Sequence, residues 1–187
     1  MSAMAVAQRM TADEYLANPD ETLRSELVEG EVIVHQPTPL HQLVVMDVFR
    51  ALDAWISAAP GRGQVWIPLD VKLDERNVFA PDLLWYREDR AITRRTRPPV
   101  PLPAVAVEVR SPSTWRYDVG AKKAAYERHG LRELWLADTA ADEVLLFRRS
   151  CERTATFDVS LELGVEDELS SPLLPGFALS LRALFGE

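Results

Sequence analysis

The sequence lacks several features that mark well-known classes of protein. Its 187 residues include a single cysteine, Cys151, which excludes a disulfide within the chain and a cysteine-rich zinc site. No stretch approaches the roughly 20 consecutive apolar residues that a membrane-spanning helix needs. The first ten residues contain no long apolar run behind a basic segment, so we expect no signal peptide. A reducing cytoplasm is the location that these absences favour.

Basic residues are also scarce. The chain has 21 Lys and Arg against 29 Asp and Glu, a net charge of −8, which argues against nucleic-acid binding through bulk electrostatics. The charge is uneven, because five arginines lie between Arg87 and Arg97 while acidic residues cluster between 158 and 168. A local basic loop on an acidic body therefore stays open as a contact for nucleic acid, and a solvated surface loop is the simpler alternative.

What is present fits one folded domain. Apolar residues make up 47% of the chain and charged residues 27%, which is ordinary for a globular protein. We predict a single domain over residues 1–187, with a core at about 11–160 and a C-terminal extension at about 161–187. The proline-rich stretch 98–103 is too short to separate two domains.

Hydrophobic patterning in the first third predicts two helices around a hairpin. A short helix begins with a capping box of Thr11 and Glu14 and ends at Asn18-Pro19. Two strands joined by a tight turn are predicted within 24–36. A long helix is predicted over about 38–59, and its narrow polar stripe leads us to expect that it is mostly buried.

The remaining pattern predicts a mixed sheet. A buried central strand is predicted over 104–109, because the segment is apolar until Glu108. A helix over about 117–129 and a strand over 133–137 complete a strand–helix–strand unit, which implies a parallel pair. Further strands are predicted over 65–73 and 79–86, as a hairpin, over 144–149 and 154–159, and within 173–185 before a last helical turn. The sequence thus predicts an α/β fold: a mixed central sheet flanked by helices, with an N-terminal β-hairpin and C-terminal strands.

Two carboxylates fall where neighbouring strands could bring them together. Asp82 opens one predicted strand, and Glu108 ends the buried one. A carboxylate buried at a strand end is costly unless a cation compensates it. Together with the Val109 carbonyl, the pair could hold a hard divalent cation that polarises a phosphate and activates water. The alternatives are a turn cap for Asp82 and, for Glu108, a buried ion pair with Arg110 or Lys122.

A lysine on the following helix is predicted to reach the same place. Asp118, Lys122 and Tyr126 are spaced by four residues, so they share one face of a helix. If that face looks toward the strand ends, Lys122 can reach a bound phosphate. The simpler alternatives are a salt bridge with Asp118 for Lys122 and half-buried packing for Tyr126.

Six short motifs occur in order along the chain. They are E-L-V-E-G-E at 26–31, His41-Gln42, Pro81-Asp82, E-V-R-S-P-S-T at 108–114, D-x3-K-x3-Y at 118–126 and E-L-W-L-x-D at 133–138. The ordered set resembles the Uma-type family of putative restriction endonucleases, within the PD-(D/E)XK nuclease superfamily, over roughly residues 10–185.

The resemblance implies a restriction-endonuclease-like fold and an endonuclease that uses Mg²⁺ or Mn²⁺. It implies DNA as the substrate and a homodimer as the active form. Asp82 and Glu108 would be the metal ligands and, with Lys122 and Glu26, the catalytic residues. Glu26 would hold a second ion or a water.

Arg110 departs from the family motif, which has lysine at this position. Arginine does not release a proton near neutral pH, so it is a poor general base. The resemblance transfers the lysine's role to Lys122 and leaves Arg110 as a phosphate clamp. Further candidate contacts to phosphate or DNA are His41, Ser113 and Tyr126; capping or packing is the alternative for each.

Two other functions stay open. A binding or regulatory protein could keep the fold without efficient catalysis, which the net acidity and Arg110 favour. A metal-dependent hydrolase of a smaller phosphoester is the third interpretation.

Overall fold

The computed structural model describes residues 9–17 and 24–186. The first elements are helix α1 (Ala12–Ala17), strands β1 (Ser25–Val28) and β2 (Glu31–Val34), and helix α2 (Pro39–Ser57). The capping box is confirmed, because the Thr11 amide donates to Glu14 Oε2 at 2.8 Å and the Glu14 amide donates to Thr11 Oγ1 at 3.3 Å. The predicted helix end at Asn18-Pro19 lies outside the described residues.

The hairpin of β1 and β2 turns at Gly30. Its φ of +83° is strained for any residue with a side chain, and a Cβ there would lie 2.7 Å from Arg9 Cβ. Glycine is therefore required at this turn, and both strands are confirmed.

Helix α2 begins where the sequence predicted, with Thr38 as its N-cap. The expectation that it is mostly buried is wrong, because only one face packs against the sheet. That face carries Val44, Val48, Leu52 and Trp55, while the outer face leaves Leu40, Leu43 and Met46 between 42% and 51% exposed.

The predicted central hairpin exists but bends across two sheets. Its arms contain β3 (Gln64–Trp66), β4 (Val71–Asp74), β5 (Asn77–Phe79) and β6 (Leu83–Tyr86). Each predicted strand is therefore split, β3 from β4 around Pro68 and β5 from β6 around Pro81. Proline has no N–H to donate, so the ladder cannot run straight through these residues. Strands β4 and β5 join the hairpin in a four-stranded sheet of order β2-β1-β5-β4.

The larger sheet holds the predicted strand–helix–strand unit. After a 3-10 turn (Glu88–Arg90), the chain forms β7 (Val105–Val109), α3 (Trp115–Tyr117), a π-helical turn (Asp118–Lys122), α4 (Lys123–Arg128), β8 (Glu133–Asp138), β9 (Glu143–Arg148) and β10 (Val159–Leu163). The order is β10-β9-β8-β7-β6-β3, with β7 and β8 parallel and the other pairs antiparallel. The predicted mixed α/β fold is confirmed.

The strand predicted over 154–159 is wrong, since β10 begins only at Val159 and the preceding segment is irregular.

The C-terminal segment forms a small hairpin on the main core. It consists of β11 (Glu168–Ser171), which the sequence did not indicate, β12 (Leu174–Ser180) and helix α5 (Leu181–Phe185). Phe177 of β12 stacks on Trp135 of β8 with ring centroids 5.7 Å apart. The extension thus shares a hydrophobic core with the main sheet. The single-domain organisation stays a prediction.

Within residues 9–17 and 24–186, no helix has the length and apolar character to cross a membrane.

Candidate active site

Strands β6 and β7 are neighbours, and they place Asp82 beside Glu108. Leu83 pairs with Val107 in the antiparallel ladder, so the next step sets Asp82 across from Glu108. Residues that face each other across such a ladder have Cα atoms about 4.5–5.5 Å apart. The Val109 amide also donates a 2.7 Å hydrogen bond to Asp82 Oδ2. The adjacency that a shared metal site requires is therefore present.

Asp82 is buried, and two cationic side chains contact its carboxylate. Arg24 Nη2 donates to Oδ1 at 2.8 Å, and His41 Nε2 lies 3.2 Å from the same oxygen. Burial raises the pKa of Asp82, but the His41 hydrogen bond and the Arg24 charge outweigh it, and the pKa lies below its ordinary value.

His41 itself lies between two hydrogen-bond acceptors. Its Nδ1 is 3.4 Å from the Arg110 carbonyl oxygen, while its Nε2 faces Asp82. Both ring nitrogens therefore act as donors, which favours the imidazolium form. Burial lowers the pKa of His41, but Asp82 raises it above the ordinary value overall.

Glu108 lies at the end of β7 and is 2% exposed. Tyr126 donates its hydroxyl proton to Oε1 at 2.8 Å, and Lys122 Nζ lies 2.8 Å from the same oxygen. Burial raises the pKa of Glu108 well above its ordinary value. Lys122 offsets part of this, and three neighbouring carboxylates raise the pKa further.

Lys122 is the centre of the cluster. Its ammonium nitrogen lies 2.8 Å from Glu26, 2.8 Å from Glu108 and 3.0 Å from Asp118. Burial lowers the pKa of Lys122, but the three carboxylates raise it well above its ordinary value, so the side chain is charged. Asp118 and Lys122 bound the π-helical turn, an irregularity frequent at functional sites. The shared helix face predicted from their spacing is confirmed.

Glu26 reaches the cluster from the four-stranded sheet. Its two oxygens accept hydrogen bonds from Lys122 Nζ at 3.0 and 2.8 Å. The Ala80 amide donates to Oε1 at 2.6 Å, and His35 Nε2 lies 2.6 Å from Oε2. Burial raises the pKa of Glu26, but Lys122 and His35 outweigh it, and the carboxylate is charged.

The cluster contains more carboxylates than side chains of permanent positive charge. Its four carboxylates, each at most 3% exposed, are Glu26, Asp82, Glu108 and Asp118. The two side chains that remain cationic at all ordinary pH values are Lys122 and Arg24. Buried excess charge is costly unless protons or a further cation compensate it. Hard carboxylate oxygens are the ligands that Mg²⁺ and Mn²⁺ prefer, so the donor set fits such an ion. Among the described residues, however, no group of three or more His, Cys, Asp or Glu side chains forms a ready metal cage.

Arg110 is held away from the carboxylate cluster. Its Nη1 donates to both Asp138 oxygens at 2.8 Å, and its guanidinium lies 5.6 Å from the centre of the Trp115 ring. Ser113 is exposed, and its hydroxyl lies 3.4 Å from that of Ser111. The structure therefore brings Glu26, His41, Asp82, Glu108, Lys122 and Tyr126 together, and leaves Arg110 and Ser113 at the rim.

Two residues of this cluster, Arg24 and His35, were not predicted from the sequence. Each lies beside a recognised motif, and each contacts a carboxylate whose motif was identified. Asp118 was recognised as a neighbour of Lys122 but not as a member of the site. Two basic residues flanking the first acidic motif are the signal that could have indicated the pairing.

Comparisons with known proteins bear on the fold and the family of the chain. The chain superposes with a TM-score of 0.77 on the crystal structure of a putative nuclease belonging to DUF820 from Anabaena variabilis ATCC 29413. The match covers 94% of this chain and 97% of that one at 18% identity, and it supports the fold alone. No protein of curated function matches the chain significantly. The family model described as Uma2, putative restriction endonuclease, matches residues 12–182. The chain therefore belongs to the Uma2 family.

Proposed function

We propose that this protein is a metal-dependent endonuclease that hydrolyses phosphodiester bonds in DNA. The observation that carries the proposal is the convergence of Asp82, Glu108 and Lys122 at the ends of neighbouring strands. Fold similarity alone does not define an activity, because one fold hosts many functions. A buried cluster of four carboxylates with perturbed pKa values is, in contrast, expensive for the fold and typical of functional sites.

Asp82, Glu108 and the Val109 carbonyl would hold the ion. A bound Mg²⁺ or Mn²⁺ would polarise the phosphate and lower the pKa of an attacking water. The present contacts of Asp82 Oδ1 with Arg24 and His41 must loosen for that oxygen to bind metal. Arg24 and His41 could then contact phosphate oxygens of a bound substrate.

Lys122 serves as a fixed positive charge in this proposal. Three carboxylates surround its ammonium and raise its pKa, so it does not accept a proton from water near neutral pH. A charge held in place before the reaction stabilises negative charge that develops on the phosphate. Tyr126, which donates to Glu108, fixes the orientation of that carboxylate.

The test is nicking of supercoiled plasmid in the presence of Mg²⁺ or Mn²⁺. Wild-type protein should convert the plasmid to the open circular form, and chelation of the metal should stop the reaction. Glu108→Ala and Lys122→Ala should each abolish nicking. Activity that persists in Glu108→Ala comes from a contaminant or another site, and contradicts the proposal.

Two matched controls distinguish the site from general damage. Lys123→Ala removes the neighbouring lysine, which packs over the Phe147 ring instead of the cluster. Glu133→Gln changes a buried glutamate on β8 that binds Trp135 and Ser171. Both variants should nick at the wild-type rate.

A nucleic-acid-binding protein without catalysis is the second candidate. The observation that favours it is the Arg110–Asp138 pair, which ties the residue at the motif's lysine position to a carboxylate outside the cluster. Under this alternative, wild-type protein retards DNA in a gel shift, yet no divalent metal induces nicking. Hydrolysis of a small phosphodiester without plasmid nicking would instead support the smaller-substrate interpretation.

Two further properties belong to the proposal, the oligomeric state and the location of the protein. Cutting both strands of a duplex with one site per chain requires two copies, so we propose a homodimer, to be tested by light scattering with and without DNA. The free and exposed Cys151 is consistent with a reducing, cytoplasmic location.

A further inference from the structure

A continuous chain of contacts runs from His35 to Lys122. His35 Nε2 lies 2.6 Å from Glu26 Oε2, and Glu26 accepts two hydrogen bonds from Lys122 Nζ. His35 directly follows β2, and its backbone amide donates to the Arg24 carbonyl at 2.9 Å. Its side chain is only 7% exposed. The imidazole thus contacts the same carboxylate oxygen that accepts from the lysine.

Both oxygens of Glu26 are engaged by groups of the chain itself. Oε1 accepts from the Ala80 amide and from Lys122, while Oε2 contacts His35 and Lys122. Two of these partners are fixed independently of any substrate, because Ala80 follows β5 and His35 follows β2. A metal ion at Glu26 would have to displace one of them. Asp82 differs, since one backbone amide, that of Val109, donates to its Oδ2, and its Oδ1 contacts only side chains, those of Arg24 and His41.

We propose that Glu26 is a positioning residue rather than a metal ligand, and that His35 and Glu26 together fix the ammonium of Lys122 against Glu108. This inference rests on the proposed function and assigns a role to His35. The four-stranded sheet carries Glu26 and His35 on its β1–β2 hairpin, and it thereby holds the ammonium of Lys122 in position. The six-stranded sheet carries the metal ligands.

Contacts from two directions, one from Asp118 and one from Glu26, are needed to fix the ammonium of Lys122. Lys122 has four rotatable side-chain bonds, and Asp118 lies on the same helical turn, so it constrains only one side of the ammonium. Glu26 approaches from a different sheet and contacts the ammonium with both oxygens. Without His35, the Glu26 carboxylate keeps the Ala80 amide but loses the contact that fixes its second oxygen.

The first experiment tests His35 by single-turnover plasmid nicking. His35→Ala should lower the rate of the chemical step about 10–100-fold, as is typical when a support of an active-site group is lost. The DNA concentration at half-saturation should stay unchanged. His35→Gln places an amide nitrogen where Nε2 lies, so it should keep most of the wild-type rate.

A matched control is available at another histidine. His129 pairs with Asp74 at 2.9 Å on the surface, so His129→Ala removes a histidine–carboxylate pair outside the cluster. It should leave both kinetic parameters unchanged. Equal rates for wild-type protein and His35→Ala, or a rate loss that His35→Gln does not restore, would overturn the positioning role.

The second experiment tests Glu26 without relying on activity. Mn²⁺ binding by calorimetry should be unchanged within about two-fold in Glu26→Gln and should be lost in Asp82→Asn, because only the latter removes a proposed ligand. Loss of Mn²⁺ affinity in Glu26→Gln would make Glu26 a ligand and overturn the inference. Thermal unfolding of each variant shows whether it is folded. If Glu26→Gln does not fold, Glu26→Asp serves in its place, since its shorter side chain cannot contact both His35 and Lys122.

A crystal structure of His35→Ala provides a third measurement. The inference predicts that Lys122 Nζ moves out of contact with Glu108 or becomes spread over several positions. An unmoved ammonium would contradict it. These structural and binding results hold whether or not the wild-type protein cuts DNA, so failure of the nuclease proposal is recognised separately, by absent nicking in wild-type protein that binds Mn²⁺ normally.

Discussion

Two buried glutamates on adjacent strands meet very different surroundings. Glu133 begins β8, is fully buried, and accepts hydrogen bonds from Trp135 Nε1 at 2.6 Å and Ser171 Oγ at 2.7 Å. Glu108 ends β7, only a few residues along the same parallel pair, yet it lies among three further carboxylates and a lysine. Burial is the largest cause that raises the pKa in both cases.

Under the proposed function, the difference separates a structural carboxylate from a catalytic one. Two neutral donors satisfy Glu133, and Ser171 belongs to β11, so the contact fastens the C-terminal hairpin to the sheet. Several carboxylates surround Glu108, and burying like charges together lowers the stability of a fold. Such an arrangement is stable only while its cations stay in place, and it is suited to receive another cation.

Removal of Lys122 should have the largest effect on stability. Lys122→Met leaves Glu26, Glu108 and Asp118 buried without their shared cation, and breaking a buried ion pair costs about 3–5 kcal/mol. The free energy of unfolding, measured with urea at neutral pH in a chelator, should fall by about this amount. Lys123→Met should change it by less than about 1 kcal/mol, since only an aromatic contact is lost. Equal losses in the two variants would remove the distinction between the cluster and the surface.

A divalent cation should stabilise the cluster end of the molecule. A ligand that binds only the folded state at 100 times its dissociation constant adds about 2.7 kcal/mol to the free energy of unfolding. We expect this gain with Mn²⁺ for wild-type protein and for Glu133→Gln. It should vanish in Asp82→Asn. A gain that survives in Asp82→Asn would place the ion elsewhere.

Loss of the hairpin contact should cost less. Ser171→Ala leaves one oxygen of Glu133 without its donor, which should lower the free energy of unfolding by about 1.5 kcal/mol. The nicking rate should not change, because Ser171 contacts the opposite end of the sheet pair. A change in nicking with unchanged stability would show that the two regions are coupled.

The smallest effect is a pH dependence at Glu133. Burial raises the pKa of this glutamate in the folded state, so its contribution to stability is complete below the ordinary glutamate pKa. That contribution is lost as the pH rises through the raised folded value. Glu133→Gln has no such titration, so its stability relative to wild type should improve as the pH rises across this window. A constant difference between the two proteins at all pH values would contradict the raised pKa.

Local patterns predicted the parts of the site that lie on single elements. The apolar run that ends at Glu108 gave the central strand, and the spacing of four placed Asp118, Lys122 and Tyr126 together. The π-helical turn was not foreseen, because one extra residue in a turn leaves the spacing of polar residues almost unchanged.

Contacts between elements could not be predicted in the same way. The pairings of Arg24 with Asp82 and of His35 with Glu26 depend on how the two sheets meet, which no periodicity encodes. The exposed face of α2 shows the same limit. Hydrophobicity indicates which residues can be buried, but the number of packed layers decides which residues are buried.

The corner of the bent hairpin has a consequence for chain length. Four residues, 67–70, separate Trp66 from Val71, and four, 80–83, separate Phe79 from Leu84, so strand pairing resumes in the same register beyond the bend. Deletion of one residue from either arm would shift that register by one and turn alternate side chains to the opposite face. The two arms of this corner must therefore keep equal numbers of residues between the paired strands.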